Sequence, residues 1–176
     1  IPFTIVEKND SVGGTWYENR YPGCRVDIAN HFYSYSFDSD HAWSEYFCRR
    51  DELLGYFQSF AQRFGIEPSI RYGTEVVSAT WDDASSTWSV QTKTKDGRTH
   101  TERYNAVVSA VGQLNRPKLP DIPGRDSFAG PSFHSAAWQH EHDLRGKRVA
   151  VIGTGASAFQ LAPEVAKVAS RLLVFQ

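Results

Sequence analysis

Lys147-Arg148-Val149-Ala150-Val151-Ile152-Gly153-Thr154-Gly155-Ala156-Ser157-Ala158 is the stretch that decides the fold. Its first half, Lys147 to Ile152, reads as a strand, and it runs straight into two glycines and then into an amphipathic stretch, Phe159 to Ala169. Strand, tight turn and helix in that order are the setting in which Gly-x-Gly-x-x-Gly/Ala holds a dinucleotide. Gly153 allows the turn, Gly155 lets the backbone reach a pyrophosphate, and Ala158 permits close helix packing. Around Thr154, Ala156 and Ser157, the free N–H groups at the helix start meet the phosphate charge. The next strand, Leu172 to Phe175, carries no acid at Val174, Phe175 or Gln176, where an NAD site usually places one about twenty residues past the first glycine. The reading therefore tilts towards NADP.

Upstream, Leu114 to Gly146 contains Pro117, Pro120, Pro123 and Pro131 and has no clear period. It reads as an extended crossing between domains. Inside it, Phe128, Gly130, His134 and Trp138 stand at fixed spacing, followed by Gln139. His140-Glu141-His142 lacks third and fourth ligands, so no metal site is expected.

Before the crossing, Ala106 to Val111 is a continuous apolar run ended by Gly112, the pattern of a parallel strand buried on both faces. Glu75 to Trp81, Thr87 to Lys95 and Thr99 to Tyr104 alternate as strands do, and Asp96-Gly97 is a strong hairpin pair. They predict a small antiparallel insert over about residues 70–104, with Trp81 and Trp88 as sheet packing. Asp51 to Phe64 repeats at helical spacing through Leu53, Phe57, Phe60, Ala61 and Phe64, with Gly65 at the C-terminal cap position. Ile1 to Glu7 reads as a strand ending in an acid, and a carboxylate there suits the two hydroxyls of an adenosine ribose. Next come Gly13-Gly14-Thr15-Trp16, whose glycines allow close backbone approach to a ligand, then Tyr21-Pro22-Gly23-Cys24-Arg25-Val26-Asp27 and Tyr33.

Composition limits the functional classes. With 19 basic and 20 acidic residues in 176, the net charge of −1 gives no electrostatic case for nucleic acid or an anionic membrane. No apolar run reaches the roughly 18 residues of a membrane span, and a cytoplasmic location is expected. Cys24 and Cys48 have no metal or redox spacing and read as reduced packing residues. The chain opens at Ile1 inside an apolar run, which reads as an internal fragment.

These blocks, taken in order, resemble the Baeyer-Villiger monooxygenases, class B flavin enzymes whose fingerprint is Phe-x-Gly-x-x-x-His-x-x-x-Trp followed by Pro or Asp. Gln139 departs at the last place and leaves open the flavin-containing and N-hydroxylating relatives, which act on amines or sulfides. A nucleotide-binding fragment without activity is the third possibility. The resemblance implies an α/β fold with two Rossmann-like domains, for FAD and NADP, both incomplete here, with the antiparallel insert in the first. The expected division is 1–113 for FAD, 114–146 for the crossing and 147–176 for the start of the NADP domain. It would place Glu7 on the FAD ribose, Gly13, Gly14, Thr15 and Trp16 along the cofactor, and the Val76 backbone at the adenine. Asp27 and Tyr33 would lie near the isoalloxazine, Arg25, Val26 and Asp27 would face the nicotinamide, and Gly112 would approach the flavin. His134 takes a coupling role, while Asp27 helps to set a catalytic arginine that lies beyond this segment in the family. The implied reaction uses NADPH, FAD and O2, through a flavin C4a peroxide, to convert a ketone to an ester or lactone. The isolated chain is expected to be inactive and to fold poorly.

Overall fold

The computed structural model describes all residues, 1–176, and resolves into two compact units. One comprises Ile1–Tyr17 and Phe57–Asn115, the other Glu18–Tyr56 and Arg116–Gln176. The division thus falls inside the long helix, and residues 18–56 group with the C-terminal part.

The first unit begins with β1, Ile5–Val6, which pairs in parallel with β2, Ile70–Arg71. The strand expected over Ile1 to Glu7 is thus confined to two residues, because β2 offers an edge of only that length. A short helix, α1, Thr15–Glu18, follows the double glycine. The insert is as expected in kind: β3, Thr74–Asp82, β4, Thr87–Thr94, and β5, Thr99–Tyr104, form an antiparallel sheet in that order. Gly97 takes φ +87° in the β4–β5 turn, a conformation open to glycine without steric cost. Trp81 and Trp88 are cross-strand partners with their rings edge to face at 5.6 Å, and Val90 and Thr92 are the buried residues of β4.

Ala106 to Val111 differs from expectation. No strand of this chain runs beside it, so its backbone enters no ladder, and Val108 is 89% exposed. An apolar run supplies the surface of a buried strand but not the neighbour that would bury it.

Helix α2, Arg50–Arg63, starts one residue earlier than its periodicity predicts and ends in a Schellman cap. The Ile66 amide donates to the Ala61 carbonyl and the Gly65 amide to that of Gln62, with Gly65 at φ +62°. Leu53, Tyr56 and Ala61 are the buried residues of this helix, whereas Phe64 lies past the last turn and is exposed.

In the second unit, Cys24, Val26, Asn30, Cys48, Leu53 and Tyr56 form one core, and Leu161 and Val165 are buried on the helix described next. Asn30 is fully buried and satisfied, since its amide donates to the Glu45 carbonyl and its oxygen accepts from Cys48 N–H. The Tyr56 hydroxyl accepts from Tyr35 N–H at 3.0 Å and donates to the Asp38 carbonyl at 3.2 Å, which pins the loop after Tyr33. The C-terminal part is a parallel βαβ unit: β6, Arg148–Ile152, α3, Ala156–Ala166, and β7, Arg171–Phe175, with β6 and β7 in register from Arg148 and Arg171 to Ile152 and Phe175. No helix is long and apolar enough to cross a membrane.

Candidate functional site

The dinucleotide turn is built as its sequence requires. Gly153 sits at φ +105°, and its amide donates to the Phe175 carbonyl at 2.8 Å, tying the turn to the end of β7. Gly155 is the N-cap of α3 at φ −72°, with no side-chain cap. Its ordinary φ means that glycine is not demanded by the backbone, and a Cβ built on it would meet nothing within 4 Å. Glycine suits an N-cap, and here the missing side chain also leaves the approach to the helix start open for a ligand. Thr154, Gly155 and Ala156 are exposed there, while Ser157 and Ala158 are half-buried in the first turn. The first-turn amides of a helix have no intrahelical acceptor and carry the positive end of the macrodipole, so this cradle fits a pyrophosphate.

Sequence positions 21–27 lie against the same helix. The Tyr21 hydroxyl donates to Gln160 Oε1 at 2.9 Å, Arg25 N–H donates to the same oxygen at 3.2 Å, and Gln160 Nε2 donates to the Arg25 carbonyl at 3.0 Å. Gly23, at φ +79°, passes so close that a Cβ would stand 2.5 Å from the Gln160 carbonyl oxygen. Burial pushes the Tyr21 hydroxyl from its ordinary 10.0 up to about 12, with hydrogen bonding from Ser157 opposing in part. Tyr21 is therefore a neutral donor across the physiological range. Val26 is 1% exposed, Arg25 pairs with Glu45 at 3.3 Å, and Asp27 is exposed. The structure thus brings Arg25, Val26 and Asp27 into one unit with Gly153 to Ala158. Tyr33 belongs to that unit too, half-buried, with its amide on the Ala29 carbonyl.

The crossing motif has a local explanation. The Phe128 ring lies over Gly130, where a Cβ would come within 2.7 Å of it, so the phenyl ring and the glycine are complementary. His134 caps the 3-10 turn Ser135–Ala137, its Nδ1 accepting from Ala136 N–H at 3.1 Å. Trp138 meets Phe133 edge to face at 5.2 Å, and His142 stacks on Phe133 at 5.8 Å while its Nε2 pairs with Gln139 Oε1 at 3.0 Å. Phe128 itself is 64% exposed.

The remaining sequence-derived positions lie in the first unit. Glu7 closes β1 half-buried; its Oε1 accepts Asn9 N–H at 2.8 Å, and a carboxylate has capacity for further donors. Gly13 and Gly14 take φ +118° and +47°, and their carbonyls accept from Trp16 and Tyr17 N–H to start α1. A Cβ on Gly14 would meet nothing within 4 Å, which suits a ligand surface. Thr15 is exposed and Trp16 is packed inward. Val76 stands at a β-bulge, where the register against β4 shifts between Val76 and Ser78, the kind of irregularity that re-aims a backbone group. Gly112, φ +74°, follows the unpaired apolar run.

Gln160 is the functional-looking residue that motif reading missed. Its signal in the sequence is slight: a polar side chain between Phe159 and Leu161 in an otherwise apolar helical run.

Comparison with known proteins gives consistent findings. The family described as flavin-binding monooxygenase-like matches residues 3–176. A Baeyer-Villiger monooxygenase of Streptomyces coelicolor is 43% identical over 174 residues, covering 99% of this chain and 33% of that protein. Among solved structures, the OTEMO complex with FAD and NADP superposes with a TM-score of 0.90 at 36% identity, covering 100% of this chain and 34% of that one. Cyclohexanone monooxygenase with bound ε-caprolactone superposes with a TM-score of 0.88 at 37% identity, covering 99% and 34%. The chain spans about a third of the length of these relatives.

Proposed function

The chain belongs to the flavin-binding monooxygenase-like family, and from that premise we propose that it serves an FAD- and NADPH-dependent monooxygenase of Baeyer-Villiger type, acting on a small-molecule ketone with O2. The observation that carries the reading is the open Gly155 cradle at the uncapped start of α3. In this reading residues 1–113 serve FAD, 114–146 cross between domains and 147–176 begin the NADP domain. The two compact units divide the chain at other places, at Tyr17/Glu18, Tyr56/Phe57 and Asn115/Arg116.

When bound, the nicotinamide supplies the hydride and the flavin supplies the oxygen activation. The chain's own residues bind and orient. The amides of Gly155 to Ala158 hold the pyrophosphate, and Ala158 keeps the helix close to the sheet. Glu7 accepts ribose hydroxyls, while Gly13 to Trp16 and the Val76 backbone line the flavin nucleotide. Asp27, an exposed carboxylate beside a fully buried Val26, holds a cationic partner in place, and Arg25 presents positive charge on the same turn. His134 fixes the crossing through its cap, which suits a coupling residue better than an acid-base one. A cytoplasmic location belongs to the same proposal.

The full-length protein bearing this chain, supplied with FAD, NADPH and a panel of cyclic and aryl ketones, is expected to yield products heavier by one oxygen. Consumption of NADPH with only hydrogen peroxide, N-oxides or sulfoxides as products rejects the ketone and retains the cofactors.

A further inference from the structure

We propose that Gln160 is a positioning residue: its side-chain amide locks the Tyr21–Asp27 turn to helix α3, so that occupation of the dinucleotide cradle is transmitted to Arg25 and Asp27. The inference rests on the dinucleotide reading given above.

The geometry of residues 24–26 makes the case. The Cys24 carbonyl accepts from Arg50 N–H, and Val26 N–H donates to the Cys48 carbonyl, so this short extended segment pairs on one edge with residues 48–50. In such a segment alternate residues direct their backbone groups to opposite edges. Arg25 must therefore find partners on the other side, and both of its backbone groups are taken by Gln160. One side-chain amide thus does the work of a neighbouring strand's peptide group. The orientation of that amide is not ambiguous, because Arg25 N–H requires the oxygen and the Arg25 carbonyl requires the nitrogen. Tyr21, 7% exposed, adds a donor to the same oxygen, and Gly23 permits backbone contact with the next stretch of the helix, at Gln160 and Glu164.

Gln160 lies in the second turn of α3, immediately behind the first-turn amides of the cradle. A helix moves as a rigid element, so a small shift of α3 on ligand binding carries the amide and the Arg25 peptide with it. Through these bonds the positions of Arg25 and Asp27 follow that of α3.

Two variants separate this role from mere packing. Gln160→Leu removes both kinds of bond. Gln160→Glu keeps the shape and the acceptor but loses the donor to the Arg25 carbonyl; when protonated at low pH, the substituted carboxyl again offers one acceptor and one donor. Hydrogen exchange of the full-length protein with and without NADP is the first readout. In the wild type, NADP is expected to protect both 153–158 and 21–27; in Gln160→Leu it should protect 153–158 alone. In turnover, Gln160→Glu is expected to lower kcat on the order of 10- to 100-fold with the Kd for NADP unchanged, and to regain kcat as pH falls. Protection of 153–158 with an equal response at 21–27 in wild type and variant overturns the coupling alone. No protection at 153–158 in the wild type rejects the dinucleotide reading and the coupling with it.

Discussion

Replacing Gly23 by alanine tests the close approach of its backbone to α3. Two costs add at this position. Gly23 has φ +79°, where an L residue costs roughly 1–2 kcal/mol. The new methyl would stand 2.5 Å from the Gln160 carbonyl oxygen and 3.0 Å from Glu164 Cγ, and the carbonyl belongs to helix backbone that cannot yield as a side chain does. Overpacking of that kind costs about 1–3 kcal/mol. Gly146 is the control, because it has φ +68° with nothing within 4 Å of a built Cβ. Gly146→Ala should therefore carry the backbone cost alone, about 2–8 °C in Tm at about 2–4 °C per kcal/mol for a domain of this size. Gly23→Ala should fall a further 2–12 °C or so by the same conversion. Thermal melting of the two variants side by side is the assay, and equal losses would refute the claim that the turn presses on α3.

Other outcomes follow from the same structure. Gly155→Ala should cost no more than about 1 kcal/mol, the difference between glycine and alanine at an N-cap, while weakening NADP binding about tenfold or more in a calorimetric titration; a destabilised variant with intact affinity would contradict the cradle. His134→Ala should cost about 1 kcal/mol in a urea titration by losing the cap on Ala136 N–H, and His134→Asn should recover most of it. Burial raises the Cys48 thiol from 9.0 to about 11, and the Cys24 thiol upward too, so both should resist a thiol reagent at neutral pH until denaturant is added. Raised pKa values favour the protonated form in the folded state. The stability from Cys48 is thus complete below pH 9.0 and lost towards about 11, and that from Tyr21 is complete below 10.0 and lost towards about 12. The urea midpoint should be flat near neutral pH and fall in the alkaline range, and a midpoint that rises there would refute the assignment.

What could be read in the sequence was local. The period of α2 and Gly65 locate the helix and its cap because both signals sit within a few residues of what they determine. Asp96-Gly97 fixes the β4–β5 hairpin for the same reason, and Gly153 to Ala158 carry their strand, turn and helix with them. Reading failed where a partner distant in sequence decides the outcome. Ala106 to Val111 has the composition of a buried strand, but burial depends on a neighbour, and this chain sets none beside it. The Ile1 to Glu7 run is cut to Ile5–Val6 by the length of β2. Gln160 was illegible as anything but a helix residue, since its importance comes from Arg25, 135 positions earlier. The four anchors from Phe128 to Trp138 were legible as a pattern, yet the ring over Gly130 and the His134 cap that explain the spacing exist only in three dimensions.

The pairing of Arg25 with Gln160 also sets an order of assembly during synthesis. The turn at Tyr21–Asp27 leaves the ribosome well ahead of the amide that completes its outer edge, which is 135 residues behind it. At about 5–20 residues per second, that separation amounts to roughly 7–27 s in which the Arg25 peptide waits for its partner. Until then water must serve both of its polar groups, and a chain stalled or truncated before Gln160 would present an unfinished strand edge to chaperones and to its own neighbours on the polysome.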